Sequence, residues 1–496
     1  MQGSNARRPA RRHARELRIG LGLAPLVPLL LVLLPSVACG PSATELRGRD
    51  PRPNVLVISL DTTRADHLSA YGYERKTSPR LETLAREGVR FDAAYAPSAT
   101  TGPTHASLFT GLAPMTHDVR KNGHRLADAL PTLAEQLSTA GFETAGVVSS
   151  FVLSARFGFS QGFDVWDEDF SNATAPEGVT IWEGFEVEGK FYGSAEDTTR
   201  RALDWLDGRS HPERPFFLLV HYFDPHDPYT PPPGYRPPFD PGPKVALKQV
   251  RTVFLYDLLL AFTDEQMGAL LDGLDERGLA ADTLVVVVGD HGEGLMDHGH
   301  PYHGAQIYEE AVRVPLVARW PGRIEPGHVV ERPAALVDLA PALLEIVGEG
   351  SGGLETQDRT SGLRLVGEAS AEPPEGTSTD EPVFLYRRHY EPARLTDEIE
   401  VAGEQYGVRL GRWKLIEAPD EGRLELYDLE ADAGERSNVA ADHPERVAEL
   451  AALLEGWRRA SAGAREQWRA AAGEPATGHE LDAAERARLE ALGYVE

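Results

Sequence analysis

The sequence predicts an α/β fold: a mixed, mostly parallel sheet sandwiched by helices, with a small C-terminal α+β subdomain built on an antiparallel sheet. Three observations predict it. Apolar, β-branched runs such as Val55-Leu56-Val57-Ile58 and Leu284 to Val288 are continuous rather than alternating, as strands buried on both faces require. Helical stretches separate these runs, and strands alternating with helices imply βαβ units. Beyond a segment rich in Gly, Ser, Glu and Pro, the pattern changes to short strand-like runs followed by one helix.

The N-terminus opens with a basic cluster: Arg7, Arg8, Arg11, Arg12, Arg15 and Arg18. An apolar stretch from Ile19 to Leu34 follows, broken by Pro25 and Pro28, and then come Ser36, Val37, Ala38 and Cys39. Basic, apolar, then small residues is the order of a secretory signal. A retained membrane helix is the alternative, but the run is shorter than the roughly 20 residues a span needs, and it carries prolines. Cys39 is the only cysteine of the 496 residues, so no intramolecular disulfide is available. Its place after Ser-Val-Ala resembles a bacterial lipoprotein cleavage site, although Ser36 stands where Leu is usual. The same small residues suit ordinary cleavage after Ala38. The expectation is a signal over 1–39 and a polar tether over 40–52. The protein is then exported to the periplasm or cell envelope and lipid-anchored at Cys39, with membrane contact through the anchor alone.

The large domain is expected over 53–348. Val55 to Ile58 forms its first strand, ending in Ser59-Leu60-Asp61. A helix opens at Ser78-Pro79, faces inward with Leu81, Leu84 and Ala85, and stops at Gly88. Another runs from Thr132 to Ala140 with Leu133 and Leu137 inward. Ala145 to Val148, Phe216 to Val220 and Leu284 to Val288 are further strands, with a long helix from Val253 to Leu274 between the last two. Residues 349–381 read as a linker. The C-terminal subdomain, 382–496, is expected to hold strands at Val383 to Tyr386, Trp413 to Ile416 and Leu424 to Leu429, and a helix from Pro444 to Arg459. The formal net charge of −27 excludes a nucleic-acid partner, whose phosphates demand Lys and Arg, and is consistent with solubility.

Functional groups of parallel sheets gather beyond the strands' carboxyl ends. Asp61, His221 and Asp290 all fall there. Asp61 is a hard-metal ligand or a turn residue. Thr101 begins a helix with Pro103 in its first turn and Gly111 at its end. A hydroxyl there meets free N–H groups and the positive end of the helix dipole, which favour an anionic ester; a capped surface helix is the alternative. Asp290, His291, His298, His300 and His303 stand close together after a strand, a concentration of imidazoles that points to metal or catalysis. His221-Tyr222-Phe223-Asp224-Pro225-His226 likewise leaves a strand in a loop stiffened by prolines.

Together these segments resemble the sulfatase family of the alkaline-phosphatase superfamily. Val57-Ile58-Ser59-Leu60-Asp61 is similar to the family's first metal strand, and Gly289-Asp290-His291-Gly292-Glu293 to its second metal segment. Trp413-Lys414-Leu415-Ile416 and Glu425-Leu426-Tyr427-Asp428-Leu429 resemble its C-terminal subdomain. The resemblance runs from residue 53 to 459. It implies an alkaline-phosphatase-like fold and a divalent metal (zinc, manganese or calcium) held by Asp61, Asp290, His291 and Thr101. It also implies catalytic or substrate-binding roles for Thr101, Asn122, His226 and His303, with His221 a weaker member.

Departures from the family pattern are informative. Sulfatases carry Cys or Ser in a Cys-x-Pro-x-Arg motif that becomes formylglycine, whereas this chain has Thr101 and His105 at those positions. Threonine cannot give that aldehyde hydrate. Thr101-x-Pro103-x-His105 instead resembles the nucleophile motif of nucleotide pyrophosphatases/phosphodiesterases, where an Asn placed like Asn122 steadies the phosphoryl oxygen. The usual second Asp of the metal strand is Thr62. The expected activity is metal-dependent hydrolysis of phosphate or sulfate esters through a covalent Thr101 intermediate, phosphate favoured, on a small-molecule, glycan or lipid ester. The alternatives are a sulfatase without formylglycine, a phosphotransferase on envelope polymers, and a non-catalytic anion-binding relative.

Overall fold

The computed structural model describes residues 52–170, 180–182, 185–187, 192–240, 248–350, 363, 365, 381–395 and 399–472. These belong to one compact unit. The expected signal, Cys39 and all of the tether except Arg52 lie outside the described residues, as does most of the expected linker. Among the described residues no helix is long and apolar enough to cross a membrane.

The main sheet is assembled from β1 (Asn54–Leu60), β2 (Val89–Tyr95), β3 (Glu143–Val147) and β4 (Val165–Asp167) in the first half of the chain. A separate hairpin, β5 (Thr180–Trp182) with β6 (Phe185–Val187), intervenes. The sheet then continues with β7 (Phe216–Tyr222), β8 (Thr283–Gly289), β9 (Arg313–Arg319), β10 (His328–Val330) and β11 (Ala334–Ala335). The strand order is β10-β2-β9-β8-β1-β7-β3-β4, with β11 also on β2. Pairings are parallel except those of β9 with β8 and β2.

Alternation along β1 explains the layered build. Val55 and Val57 face one core with α2 (Thr101–Thr110), α4 (Leu133–Thr139) and α8 (Leu339–Val347). Leu56 and Ile58 face a second core with α1 (Pro79–Glu87), α5 (Ala195–Asp207) and α6 (Lys248–Glu276). Two short helices, α3 (Pro114–His117) and α7 (Glu309–Val312), complete the large domain. The expected helix ends hold. Ser78 precedes Pro79 at the start of α1, and Gly111 closes α2 with φ 70°, the left-handed conformation that glycine adopts without penalty. Thr132 and Glu135 form a reciprocal capping box at α4, a device that stabilises a helix start by about 1 kcal/mol.

The C-terminal subdomain is a four-stranded antiparallel sheet of β12 (Val383–Arg394), β13 (Glu400–Leu410), β14 (Trp413–Ala418) and β15 (Arg423–Asp428), covered by α9 (Pro444–Ala472). Leu450, Leu454 and Trp457 of α9 pack on Tyr406, Val408 and Leu415. The sequence reading missed β13 and the second half of β12. Glycines and polar residues break their alternation, and the register between them shifts twice. Within the stretch read as a linker, Leu363 and Leu365 are buried in the first core, so the chain there is not purely a solvent tether.

Candidate active site

Strand register brings the site together. Leu60 pairs with Tyr222 on one side and with Gly289 on the other. The three strands therefore end level, and Asp61, Phe223 and Asp290 leave the sheet at the same edge. Backbone bonds fix the exit: Asp61 N donates to Tyr222 O at 2.9 Å and Asp290 N to Leu60 O at 3.2 Å. Thr62 follows with φ 46°, a strained conformation for a β-branched residue. Tyr256 holds this turn, donating to Thr62 O at 2.7 Å and accepting from Arg64 N at 2.9 Å.

Two buried carboxylates and one imidazole converge there. Ligand atoms of Asp61, Asp290 and His291 lie within 4.8 Å of one another. Asp290 Oδ1 accepts from the backbone N–H groups of His291 (2.7 Å) and Thr62 (3.2 Å), whereas its Oδ2 and both oxygens of Asp61 are buried without a hydrogen bond. His291 Nδ1 donates to Gly292 O at 2.9 Å, so its Nε2 carries a lone pair. That Nε2 lies 3.5 Å from Asp61 Oδ1, 3.6 Å from Asp290 Oδ2 and 3.2 Å from Thr101 Oγ1. Orphaned oxygens around an imidazole lone pair, with Nδ1 fixed by a carbonyl, are the donor set of a divalent cation. The residues present fit such an ion, which Asp61, Asp290 and His291 would hold, with Thr101 Oγ1 beside them.

Electrostatics agree. Burial opposes charge on Asp61, yet the imidazoles of His221, His226 and His291 hold its carboxyl well below the usual carboxylate range. Burial and then the Asp61 charge push Asp290 well above that range. Like charges this close cannot both ionise without a cation between them.

Thr101 occupies the first turn of α2 and is buried. The next N–H, of Gly102, donates to Asn122 Oδ1 at 2.7 Å. Asn122 is thus tied to the first turn of α2 through its Oδ1.

His105 belongs to a second candidate triad with His221 and Asp290. Its Nδ1 donates to Thr101 O at 2.9 Å and its Nε2 accepts from Ser59 Oγ at 3.0 Å. Both nitrogens are committed, and burial holds the ring neutral by lowering it to about 3. His105 clamps α2 to β1 through these two bonds. His221 Nε2 sits 3.4 Å from Asp61 Oδ2, beside the carboxylates.

His226 and His303 lie beside the cluster, both buried. Their ring centres are 4.9 Å apart, and His303 lies 4.5 Å from His291. His226 stacks on Phe223 and donates from Nδ1 to Asp227 O at 2.6 Å, leaving Nε2 as an acceptor. Burial lowers its pKa to about 4, against the pull of Asp61. His298 and His300 are not part of the site. His298 bonds Glu310 (2.8 Å) and Glu435 O (2.9 Å) and stacks on Tyr308, and His300 feels Glu310, Arg423 and Arg387 instead. Neither Tyr256 nor Ser59 was legible beforehand, because each works through one bond to a backbone or ring made by folding.

A buried hydroxyl at a helix start, beside a buried donor set suited to a divalent cation at the edge of a mostly parallel sheet, is an arrangement suited to ester hydrolysis. The comparisons identify which. The sulfatase family model matches residues 53–349, and the model "N-sulphoglucosamine sulphohydrolase, C-terminal" matches 297–458. The chain belongs to the sulfatase family and is a hydrolase acting on ester bonds; enzymes of this family bind a divalent metal. Among its relatives, the N-acetylglucosamine-6-O-sulfatase of Bacteroides thetaiotaomicron is 24% identical over 86% of this chain and 90% of its own. Of solved structures, one bound to D-glucosamine-2-N,6-O-disulfate aligns with a TM-score of 0.64 at 21% identity, covering 83% of this chain and 98% of that one. The phosphonate monoester hydrolase of Agrobacterium radiobacter aligns with a TM-score of 0.60 at 23% identity, covering 84% and 96%.

Proposed function

We propose that this protein is a metal-dependent esterase that uses Thr101 as a covalent nucleophile, with phosphate esters as its preferred substrates. The observation that carries the reading is Thr101 Oγ1, set at the start of α2 and 3.2 Å from His291 Nε2. Asp61, Asp290 and His291 would hold a divalent ion, which when bound would lower the pKa of the Thr101 hydroxyl and screen the ester's charge. The chain supplies the rest. The start of α2 presents a positive dipole end to the anionic ester. Asn122 Nδ2 donates to a phosphoryl oxygen. Thr101 Oγ1 gives up its proton to solvent and attacks phosphorus in line, the bond from phosphorus to the ester oxygen breaks, that oxygen leaves as an alcohol with a proton from solvent, and a phospho-threonine results. Water then attacks phosphorus and frees Thr101. His226 and His303, with ring centres 4.9 Å apart and His303 4.5 Å from His291, are the imidazoles placed to exchange a proton with the leaving oxygen.

Threonine in the formylglycine position supports phosphate over sulfate, because a sulfo-threonine has no geminal hydroxyl with which to expel sulfate. The names of the relatives favour the second reading, a sulfate ester cleaved without formylglycine. Comparing p-nitrophenyl phosphate, bis-p-nitrophenyl phosphate and p-nitrophenyl sulfate separates the two, with Thr101→Ala as control. Phosphate turnover lost by more than about a hundredfold in the variant is expected of a removed nucleophile. Turnover of the sulfate alone would favour the second reading, and rates untouched by Thr101→Ala would sink both. The order of residues before Cys39 supports export and lipid anchoring, which labelling with a radioactive fatty acid tests directly.

A further inference from the structure

The catalytic reading gives no work to Glu293, a fully buried carboxylate in the segment that carries Asp290 and His291. Burying a carboxylate is costly unless its oxygens are satisfied. The backbone that bears it is fixed. Gly292 and Glu293 donate their N–H groups to Ala311 O at 2.8 Å and Glu310 O at 3.1 Å, and Arg64 Nη1 donates to Glu293 O at 3.2 Å. A methyl group on Gly292 would overlap Glu310 O.

The two carboxylate oxygens face different partners. Oε2 accepts from the Tyr229 hydroxyl at 2.9 Å. Oε1 accepts from Gly294 N at 3.0 Å and lies 3.5 Å from His303 Nδ1. Among the described residues no lysine or arginine pairs with this carboxylate, and the cationic partner within its reach is an imidazole. Tyr229 leaves β7 in the same loop as His226. Glu293 thus ties the loop of one imidazole to the ring of the other, and those two rings lie 4.9 Å apart. Tyr229 also packs edge-on against Tyr256, which holds the Thr62 turn. A strut between two loops needs only an acceptor for the Tyr229 hydroxyl. It does not need a second, charged oxygen beside a ring nitrogen.

We propose that Glu293 is a positioning residue for His303, holding Nδ1 of the ring as a donor to the carboxylate and so assigning Nε2 to the leaving oxygen. The inference rests on the esterase reading above. A carboxylate behind an imidazole fixes both its tautomer and its orientation. Such contacts are long in the empty enzyme and tighten around substrate. The solvent proton that reaches the leaving oxygen then passes through Nε2. The ring gives it up as the bond from phosphorus to oxygen breaks, and takes another from water. Glu293 acts only through the ring.

Steady-state kinetics of the full metal-loaded chain test this on p-nitrophenyl phosphate and phenyl phosphate, whose leaving oxygens differ in their need for a proton. Glu293→Gln is expected to lower kcat for phenyl phosphate at least about tenfold more than for p-nitrophenyl phosphate, with KM changed less than about threefold. In a His303→Gln background the same substitution is expected to cost less than about twofold further, because residues acting as one unit are not additive. Equal losses on the two esters, or an undiminished loss in the His303→Gln background, mark a merely structural role and overturn the proposal. Nitrogen NMR of isotopically labelled histidines gives a readout apart from turnover. The His303 signal, identified by its loss in His303→Gln, is expected to show the proton on Nδ1 in the parent and mixed tautomers in Glu293→Gln. The same tautomer in both overturns the proposal. Metal content and melting temperature control for folding. If Glu293→Gln does not fold, Tyr229→Phe loosens the carboxylate from its other side, and the expected loss is about threefold larger on phenyl phosphate. Equal losses there count against the proposal. If the tautomer follows Glu293 but no ester is turned over, the setting of the ring stands and the esterase reading fails. If turnover needs Thr101 but its dependence on the leaving group ignores Glu293, only the positioning role fails.

Discussion

Thr101 Oγ1 and His291 Nε2 face each other at 3.2 Å, although 190 residues separate them in sequence. The hydroxyl itself, and not merely a small residue, is what this contact requires. Thr101→Ser is therefore expected to keep kcat for p-nitrophenyl phosphate within about tenfold of the parent, whereas Thr101→Ala loses more than about a hundredfold. Rates of the two variants that match each other would argue against a covalent role.

Removing the ion leaves two buried carboxylates sharing one space. Chelator-treated protein is expected to lose activity and to melt at a lower temperature, with recovery on adding zinc, manganese or calcium. Asp290→Asn removes the like charge. It should stabilise the metal-free protein by on the order of 1–3 kcal/mol while abolishing the gain from metal. Paired melting curves with and without ion check this; a variant that still responds to metal contradicts the ligand set.

Asn122→Asp keeps an oxygen for the Gly102 N–H but replaces the Nδ2 donors with negative charge. Melting is expected to change little, while kcat falls by roughly a hundredfold, the scale of a lost oxyanion donor. Steady-state kinetics decide it, and a drop in melting temperature with normal kcat would make Asn122 purely a cap.

His105 bridges Thr101 O and Ser59 Oγ in the core. His105→Ala is expected to cost about 3 kcal/mol, from a cavity and an unpaired Ser59 hydroxyl. Metal stoichiometry should be unaltered. Loss of metal in a folded His105→Ala protein would restore it to the ligand list.

Asp224 sets a pH dependence. Burial pushes its carboxyl from 3.8 up to about 7. A raised acid contributes its full stability below 3.8 and loses it as pH climbs through about 7, because the native state holds the proton longer. Asp224→Asn removes that loss. The variant should match the parent near pH 4 and exceed it by about 2 kcal/mol at pH 8, a figure discounted for partial exposure. Urea unfolding at the two pH values tests the sign; a gain at pH 4 that vanishes at pH 8 is the wrong one.

The large domain was legible because its strands are continuous apolar runs, and Asp61 and Asp290 were legible because each directly follows one. What composition hid was register and direction. No pattern in Glu400–Leu410 announces a strand, since Gly403 and Gly407 stand where apolar residues would alternate. Nor does spacing tell His303, which faces His291, from His298, which turns to Glu310. His105 looked like a lost arginine. Its clamping of α2 depends on Ser59, from a strand that meets it only in the fold.

The bond from the Tyr386 amide to Pro97 couples two parts of the chain that lie far apart in sequence. It joins an outer strand of the small sheet to the approach of α2. Any displacement of that strand is therefore passed to the turn that begins α2 and carries Thr101. Exchanging the C-terminal sheet for a different one would thus disturb the placement of the Thr101 hydroxyl, although none of the exchanged residues touches it.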